Sequence, residues 1–202
     1  MKVKSEQDYA IVYHGTNSHH AKNIQKHGFK LDKKTRGATS ELHNQTGITD
    51  AQSSKYHYVT TSIIEAAKYA KIHENPVIVR VVCLKKWLDR DPEADSDTAF
   101  RIKDNISHSL VLPRNPNKMT IEKARKISKK LSGKEDIAED FLKKLKDSVR
   151  STVEDDRVIE QVVSPVQEAL AVSQKELEKI KKITGGEFKE GEIFSLDPED
   201  LE

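Results

Sequence analysis

The tetrapeptide Tyr13-His14-Gly15-Thr16 follows the apolar pair Ile11-Val12 and precedes a run ending Ile24-Gln25-Lys26-His27-Gly28-Phe29. Read as structure, this is an apolar strand that delivers a His-Gly pair at its end, into a ligand-facing turn. Downstream, Tyr58 falls on a β-rich run and Tyr69 on the helical run that follows it. Strand end and helix aim two aromatic rings at one cleft, where they can sandwich a flat heterocycle such as nicotinamide. An offset aromatic pair adds about 0.5–1.5 kcal/mol beyond burial and fixes the ring plane. Without the His-Gly turn the same two tyrosines read as ordinary amphipathic core residues. The run Thr60-Thr61-Ser62 serves equally as a polar ledge at the strand end and as the cap of the next helix.

The elements that must position these groups follow from periodicity and punctuation. Tyr9 to Tyr13 reads as a buried strand, and Ala21 to His27 as a helix started by Thr16-Asn17-Ser18 and stopped by Gly28. Asp32 to Lys55 is polar, carries Gly37 and Gly47 and lacks periodic apolar residues, so it reads as a long loop, a feature usually tied to function or mobility. Tyr56 to Thr61 is a short strand, and Ser62 starts a helix Ile63 to Ile72 that buries Ile63, Ala66, Ala67 and Ala70. Pro76 to Leu84 is apolar almost throughout, which predicts a central strand covered on both faces. From Asp91 to Arg157 the character changes to an inserted, mostly helical cap. Ile121, Ala124, Ile127 and Leu131 repeat at helical spacing, as do Ile137, Phe141, Leu145 and Val149 after the Ser132-Gly133 turn. Beyond Pro165 the chain returns to a strand at Glu168-Ala169-Leu170-Ala171-Val172, then a helix Gln174 to Ile183 and a last short strand at Glu192-Ile193-Phe194.

Composition narrows the functional classes. With 202 residues, 35% hydrophobic and 34% charged, the chain suits one soluble domain with a charged surface. Lys+Arg 35 against Asp+Glu 33 gives net charge +2, so bulk charge calls for neither nucleic acid nor an anionic membrane. The lysines of the helical cap, such as Lys126 and Lys143, read as a solvated face. One cysteine, Cys83, rules out an intrachain disulfide and reads as a small buried hydrophobe. None of the eight histidines has the helical spacing and carboxylate partner of a zinc site, so no metal is expected. No apolar segment has the length of a signal peptide or a membrane span, which predicts a cytoplasmic protein or one translocated into a target cytosol by other means.

The segment Tyr13-His14-Gly15-Thr16 resembles the nicotinamide-site signature of the diphtheria-toxin and poly(ADP-ribose) polymerase branch of the ADP-ribosyltransferases. His57-Tyr58-Val59-Thr60-Thr61-Ser62-Ile63-Ile64-Glu65-Ala66-Ala67-Lys68-Tyr69 is similar, without a gap, to that branch's second motif, with Tyr58 and Tyr69 at the two stacking positions. His14 and Tyr58 are then the first two members of the branch's His-Tyr-Glu set. Tyr58-Val59-Thr60-Thr61-Ser62 also resembles the aromatic-hydrophobic-Ser-Thr-Ser segment of the cholera-toxin branch, with Thr60 at its first serine. The resemblance implies an α+β fold with a split β-sheet core from 1–90 and 158–202 and a helical insertion, 91–157, that matches neither branch and suits target recognition. It implies NAD as substrate, a protein acceptor and the type of a bacterial toxin or effector mono-ADP-ribosyltransferase.

The third member of the set is a glutamate on a late strand, and two segments compete for it. Glu168 opens an apolar run followed by Leu177 and Ile180 in a helix, as the resemblance requires; Glu160, in Val158-Ile159-Glu160-Gln161-Val162-Val163, is the alternative, with little room before Ser164-Pro165. Cleavage of the glycosidic bond of NAD generates an oxocarbenium-like ribosyl centre that a nearby carboxylate stabilises. By the same resemblance His14 orients the adenosine-side ribose, the Gly15 backbone approaches the carboxamide, Thr16 completes the motif, Tyr58 and Tyr69 clamp the ring, Thr60 holds the glutamate and Arg36 meets the pyrophosphate. Arginine-modifying toxins carry Glu or Gln two residues before the catalytic glutamate; here Val166 or Val158 stands there, which argues against an arginine acceptor. An NAD glycohydrolase would use the same residues. An RNA 2′-phosphotransferase would need a basic set beyond Arg36 and Arg80, and a non-catalytic NAD-binding module would not need all four residue types.

Overall fold

Two nine-residue strands, β1 (Tyr9–Asn17) and β3 (Pro76–Leu84), pair antiparallel along their whole length, from Tyr9↔Leu84 to Asn17↔Pro76. This ladder anchors the computed structural model, which describes residues 9–31, 56–92, 94, 96–133, 142–143, 145–147 and 152–184. The chain divides into two units, Met1–Val166 and Gln167–Glu202. The first holds a five-stranded antiparallel sheet, adding β2 (His57–Thr60), β4 (Asp89–Arg90) and β5 (Ala99–Ile102) in the order β3-β1-β2-β5-β4. The class is α+β.

Helices α1 (Ser18–His27) and α2 (Ile63–Ala70) lie between strands, and α3 (Ile121–Ser132) and α4 (Thr152–Gln161) follow β5; α5 (Pro165–Thr184) runs into the second unit. Their ends follow local chemistry. Asn17 accepts the His20 backbone N–H to start α1, and Gly28, at φ 78, ends it. Ser62 accepts the Glu65 N–H to start α2, and Thr120 accepts the Lys123 N–H to start α3. Ser62-Ile63-Ile64-Glu65 is a capping-box sequence.

The larger core lies between one sheet face and α1, Phe29, residues 106–112 and α3, and contains Val12, Val59, Val79, Ile102, Leu110 and Ile127. The second core lies on the other face, where Ala66, Ala67 and Ala70 of α2 and Ile159 of α4 meet Ile78. Among them Arg80 of β3 and Asp155 of α4 are 2% and 0% exposed. Arg80 Nη1 donates to Asp155 Oδ2 at 2.9 Å and Nη2 donates to Oδ1, while the guanidinium lies 5.8 Å from the centroid of the Tyr13 ring. Lys71, just past α2, donates its ammonium to the Glu160 and Val162 carbonyls at 3.1 and 2.5 Å, closing the C-terminal end of α4.

Several expectations change. His14, Gly15 and Thr16 lie inside β1 rather than in a turn, because β3 pairs with the strand through Asn17. As expected, β3 is covered on both faces, yet it is an edge strand, its outer side met by the Val81↔Val111 bridge and the Leu112 N–H on the Arg80 carbonyl. Segment 91–157 is not simply a helical cap, since β5 pairs with β2 in the sheet. The expected helix from Ile137 to Val149 is described only at 142–143 and 145–147, where Leu145 is fully buried.

Both glutamate-bearing strands are helices. In α4 and the residue after it, buried Asp155 and Ile159 and partly buried Val158 and Val162 follow i, i+3, i+4, i+7, a stripe hidden in the sequence because an aspartate occupies its first place. In α5, Ser164-Pro165-Val166-Gln167 is a capping-box sequence with proline at the first helical position, and Glu168 then sits in the favourable first turn. The loop Asp32 to Lys55, with Arg36, and the strand Glu192-Ile193-Phe194 lie outside the described residues.

A buried cation left without its carboxylate costs about 3–5 kcal/mol. Asp155→Ala is therefore expected to lower the thermal midpoint by on the order of 10 °C, whereas Arg80→Met combined with Asp155→Leu recovers most of that loss. Calorimetry of the three proteins checks this; a midpoint unmoved in Asp155→Ala would contradict it.

Candidate functional site around His14, Tyr58 and helix α2

The His14 ring belongs to the face of the larger core. It meets Phe29 edge-on at 5.1 Å between centroids, and Phe29 meets His57 in the same way at 5.2 Å. Phe29 is fixed by reciprocal backbone hydrogen bonds to Ile106, at 2.9 and 3.1 Å. His14 Nδ1 lies 2.9 Å from the Tyr58 carbonyl oxygen. A carbonyl only accepts, so Nδ1 carries the proton and donates, which leaves Nε2 of the neutral ring as an acceptor. Burial pushes the His14 pKa down to about 4, against the opposing pull of the Tyr58 bond and with smaller contributions from His73 and His20. His57 is pushed down to about 4 by burial and by His14, and among the described residues its buried Nε2 has no hydrogen-bond partner. The pair is therefore neutral at pH 7.

Side chains alternate along β2, so Tyr58 and Thr60 project opposite to His57 and Val59. Thr60 establishes which side that is: its Oγ1 donates to Glu65 Oε2 of α2 at 2.6 Å. Tyr58 and Tyr69, both half-buried, thus share the α2 side of the sheet. Burial raises the Tyr69 phenol pKa, with the charges of Glu65 and Asp91 adding to it. Glu65 also accepts from Ser96 Oγ at 3.3 Å and from Thr98 Oγ1, gathering three hydroxyls on one oxygen. Arg101 stands opposite Tyr58 in the β2–β5 ladder, its guanidinium 4.5 Å from the centroid of the Tyr56 ring.

The predicted residues divide accordingly. His14 meets Tyr58 through the backbone of Tyr58, and Thr60 and Tyr69 meet around α2. Gly15 has a packing reason to be glycine, because a Cβ there would lie 2.0 Å from the Ala66 carbonyl oxygen. Thr16 is buried inside β1. Glu160 and Glu168 are exposed on helices. Arg80 is committed to Asp155, and Cys83 is buried, with its thiol pushed up to about 12 by burial. Sequence reasoning missed Glu65, Thr98, His57 and Phe29 as partners. Glu65 was legible only as a capping-box residue, and nothing local links Ser96 and Thr98 to it.

Unfolding returns both histidines to ordinary values near 6.5. Their folded values are lower, so the unfolded chain binds more protons, and stability is complete above pH 6.5 and lost as pH falls toward 4. The expected slope approaches about 1.4 kcal/mol per pH unit for each histidine. Thermal midpoints between pH 7 and 4, with imidazole NMR shifts, check this; rings that titrate near 6.5 in the folded protein would contradict it. No protein-family model, curated protein or solved structure matches this chain.

Proposed function

We propose that this chain is a mono-ADP-ribosyltransferase that takes ADP-ribose from NAD, releases nicotinamide and modifies a protein acceptor. The observation that carries the reading is the hydrogen bond from the His14 imidazole to the Tyr58 carbonyl, which ties together the two residues that the His-Tyr-Glu resemblance pairs, 44 positions apart in sequence. The Tyr58 and Tyr69 rings share one side of the sheet, as a clamp on a planar ring requires. His14 acts on this side of the sheet through the Tyr58 backbone that its Nδ1 holds. Arg101, opposite Tyr58, offers a cation for the pyrophosphate. The single paired position of β1 with β2, Tyr13↔Thr60, against nine between β1 and β3, is compatible with a split-sheet core of this enzyme type.

Commitment of Arg80 to Asp155 removes one of the two arginines that an RNA 2′-phosphotransferase reading relied on. The helical placement of Glu160 and Glu168 favours a second reading, an NAD-binding module without turnover, unless another carboxylate serves.

The purified chain incubated with nicotinamide-labelled NAD is expected to release label. Parallel samples with adenine-labelled NAD and a cell lysate are expected to label a lysate protein. His14→Gln should lower kcat/KM by roughly 100-fold, as misorientation of a bound reactant does. Tyr69→Ala should raise KM by roughly 2–10-fold through lost stacking. Release that needs no lysate and labels no protein would assign a glycohydrolase, and binding without release would assign the module.

A further inference from the structure

We propose that Glu65, on α2, is the carboxylate that faces the ribosyl centre of this site, an assignment that rests on the NAD-consuming reading above. Thr60 was expected to hold the catalytic glutamate, and the glutamate it holds is Glu65, at 2.6 Å. Three hydroxyl groups converge on Oε2, from Thr60 at the end of β2 and from Ser96 and Thr98 in the segment that enters β5. Among the described residues Oε1 takes none of these bonds, and the side chain is half-exposed. One oxygen is thus fixed and the other is left to meet a ligand.

A glutamate at this point of a helix usually reaches back to the backbone N–H of its capping residue. Here the Ser62 N–H donates instead to Thr60 Oγ1 at 3.0 Å. The Glu65 carboxylate is therefore not spent on closing its own helix. Tyr69 lies four residues on, over the same helix face, and the effect of the Glu65 charge on its phenol agrees with that closeness. Tyr58, two residues before Thr60, projects to the same side. A planar ring held between the tyrosines would place the attached ribose within reach of the free carboxylate oxygen.

In the step this implies, the bond between ribose C1′ and the nicotinamide ring nitrogen breaks, and its electron pair goes to the nitrogen. The positive charge left on the ribosyl group is offset by the Glu65 carboxylate. The acceptor's oxygen or nitrogen then bonds to C1′ and gives up a proton to solvent. No oxidant or further reactant is needed.

The test compares wild type, Glu65→Gln and Glu65→Ala in nicotinamide release, in NAD affinity by calorimetry and in thermal midpoint. Glu65→Gln, which keeps an acceptor for the three hydroxyls, is expected to hold NAD within about threefold of wild type while kcat falls by roughly 100–1000-fold. Formate, a free carboxylate, is expected to restore part of the turnover of Glu65→Ala. Turnover of Glu65→Gln within threefold of wild type would overturn the assignment and leave the NAD reading intact. A parallel loss of affinity and midpoint in both variants, without formate rescue, would make Glu65 a structural tie and overturn it as well. No release by wild type would overturn the NAD reading and this assignment with it.

Discussion

Helix α2 rests on β1 at Gly15 so closely that a methyl there would lie 2.0 Å from the Ala66 carbonyl oxygen and 2.5 Å from the Ala70 nitrogen. The approach needs small residues on both partners: glycine in the strand and Ala66, Ala67 and Ala70 on the helix, all three at most 1% exposed. The side chains that α2 carries toward the sheet inherit their position from this contact. It brings Glu65 to Thr60 and sets Tyr69 on the same side as Tyr58. The wider layer is held by the buried Arg80–Asp155 pair, which fixes α4 against β3 and α2, and by Lys71 at the C-terminal end of α4. Two backbone surfaces in contact and one desolvated ion pair leave α2 little freedom to shift.

The sheet separates two electrostatic environments. On one face His14 and His57 flank Phe29 as neutral rings in an apolar core, and desolvation sets their protonation. On the other, Glu65 draws three hydroxyls to one oxygen beside a tyrosine. The hydrogen bond from His14 to the Tyr58 carbonyl joins the two environments through the backbone of β2.

Local signals in the sequence carried the strand and helix that frame His14, the cap at Ser62, the three buried alanines of α2 and the two-sided burial of β3. These are set by neighbours within a few residues, where periodicity and capping chemistry act. The placement of Tyr58 and Thr60 on a strand and of Tyr69 on the helix after it was legible for the same reason. Long-range pairing hid the rest. The extension of β1 through His14 and Gly15 is imposed by β3, some sixty residues away, and the role of β5 by its ladder with β2. The strands expected around Glu160 and Glu168 failed because β-branched and small apolar residues also suit a helix that a proline starts or a partner helix buries. Asp155 masked the apolar stripe of α4, since its burial is meaningful only once Arg80 lies opposite.

The most direct measurement is a crystal structure of the chain with a non-hydrolysable NAD analogue. The nicotinamide ring is expected between Tyr58 and Tyr69, with the nicotinamide-side ribose beside Glu65 Oε1. An analogue bound elsewhere, or seated between the tyrosines with its ribose turned away from Glu65, would contradict it.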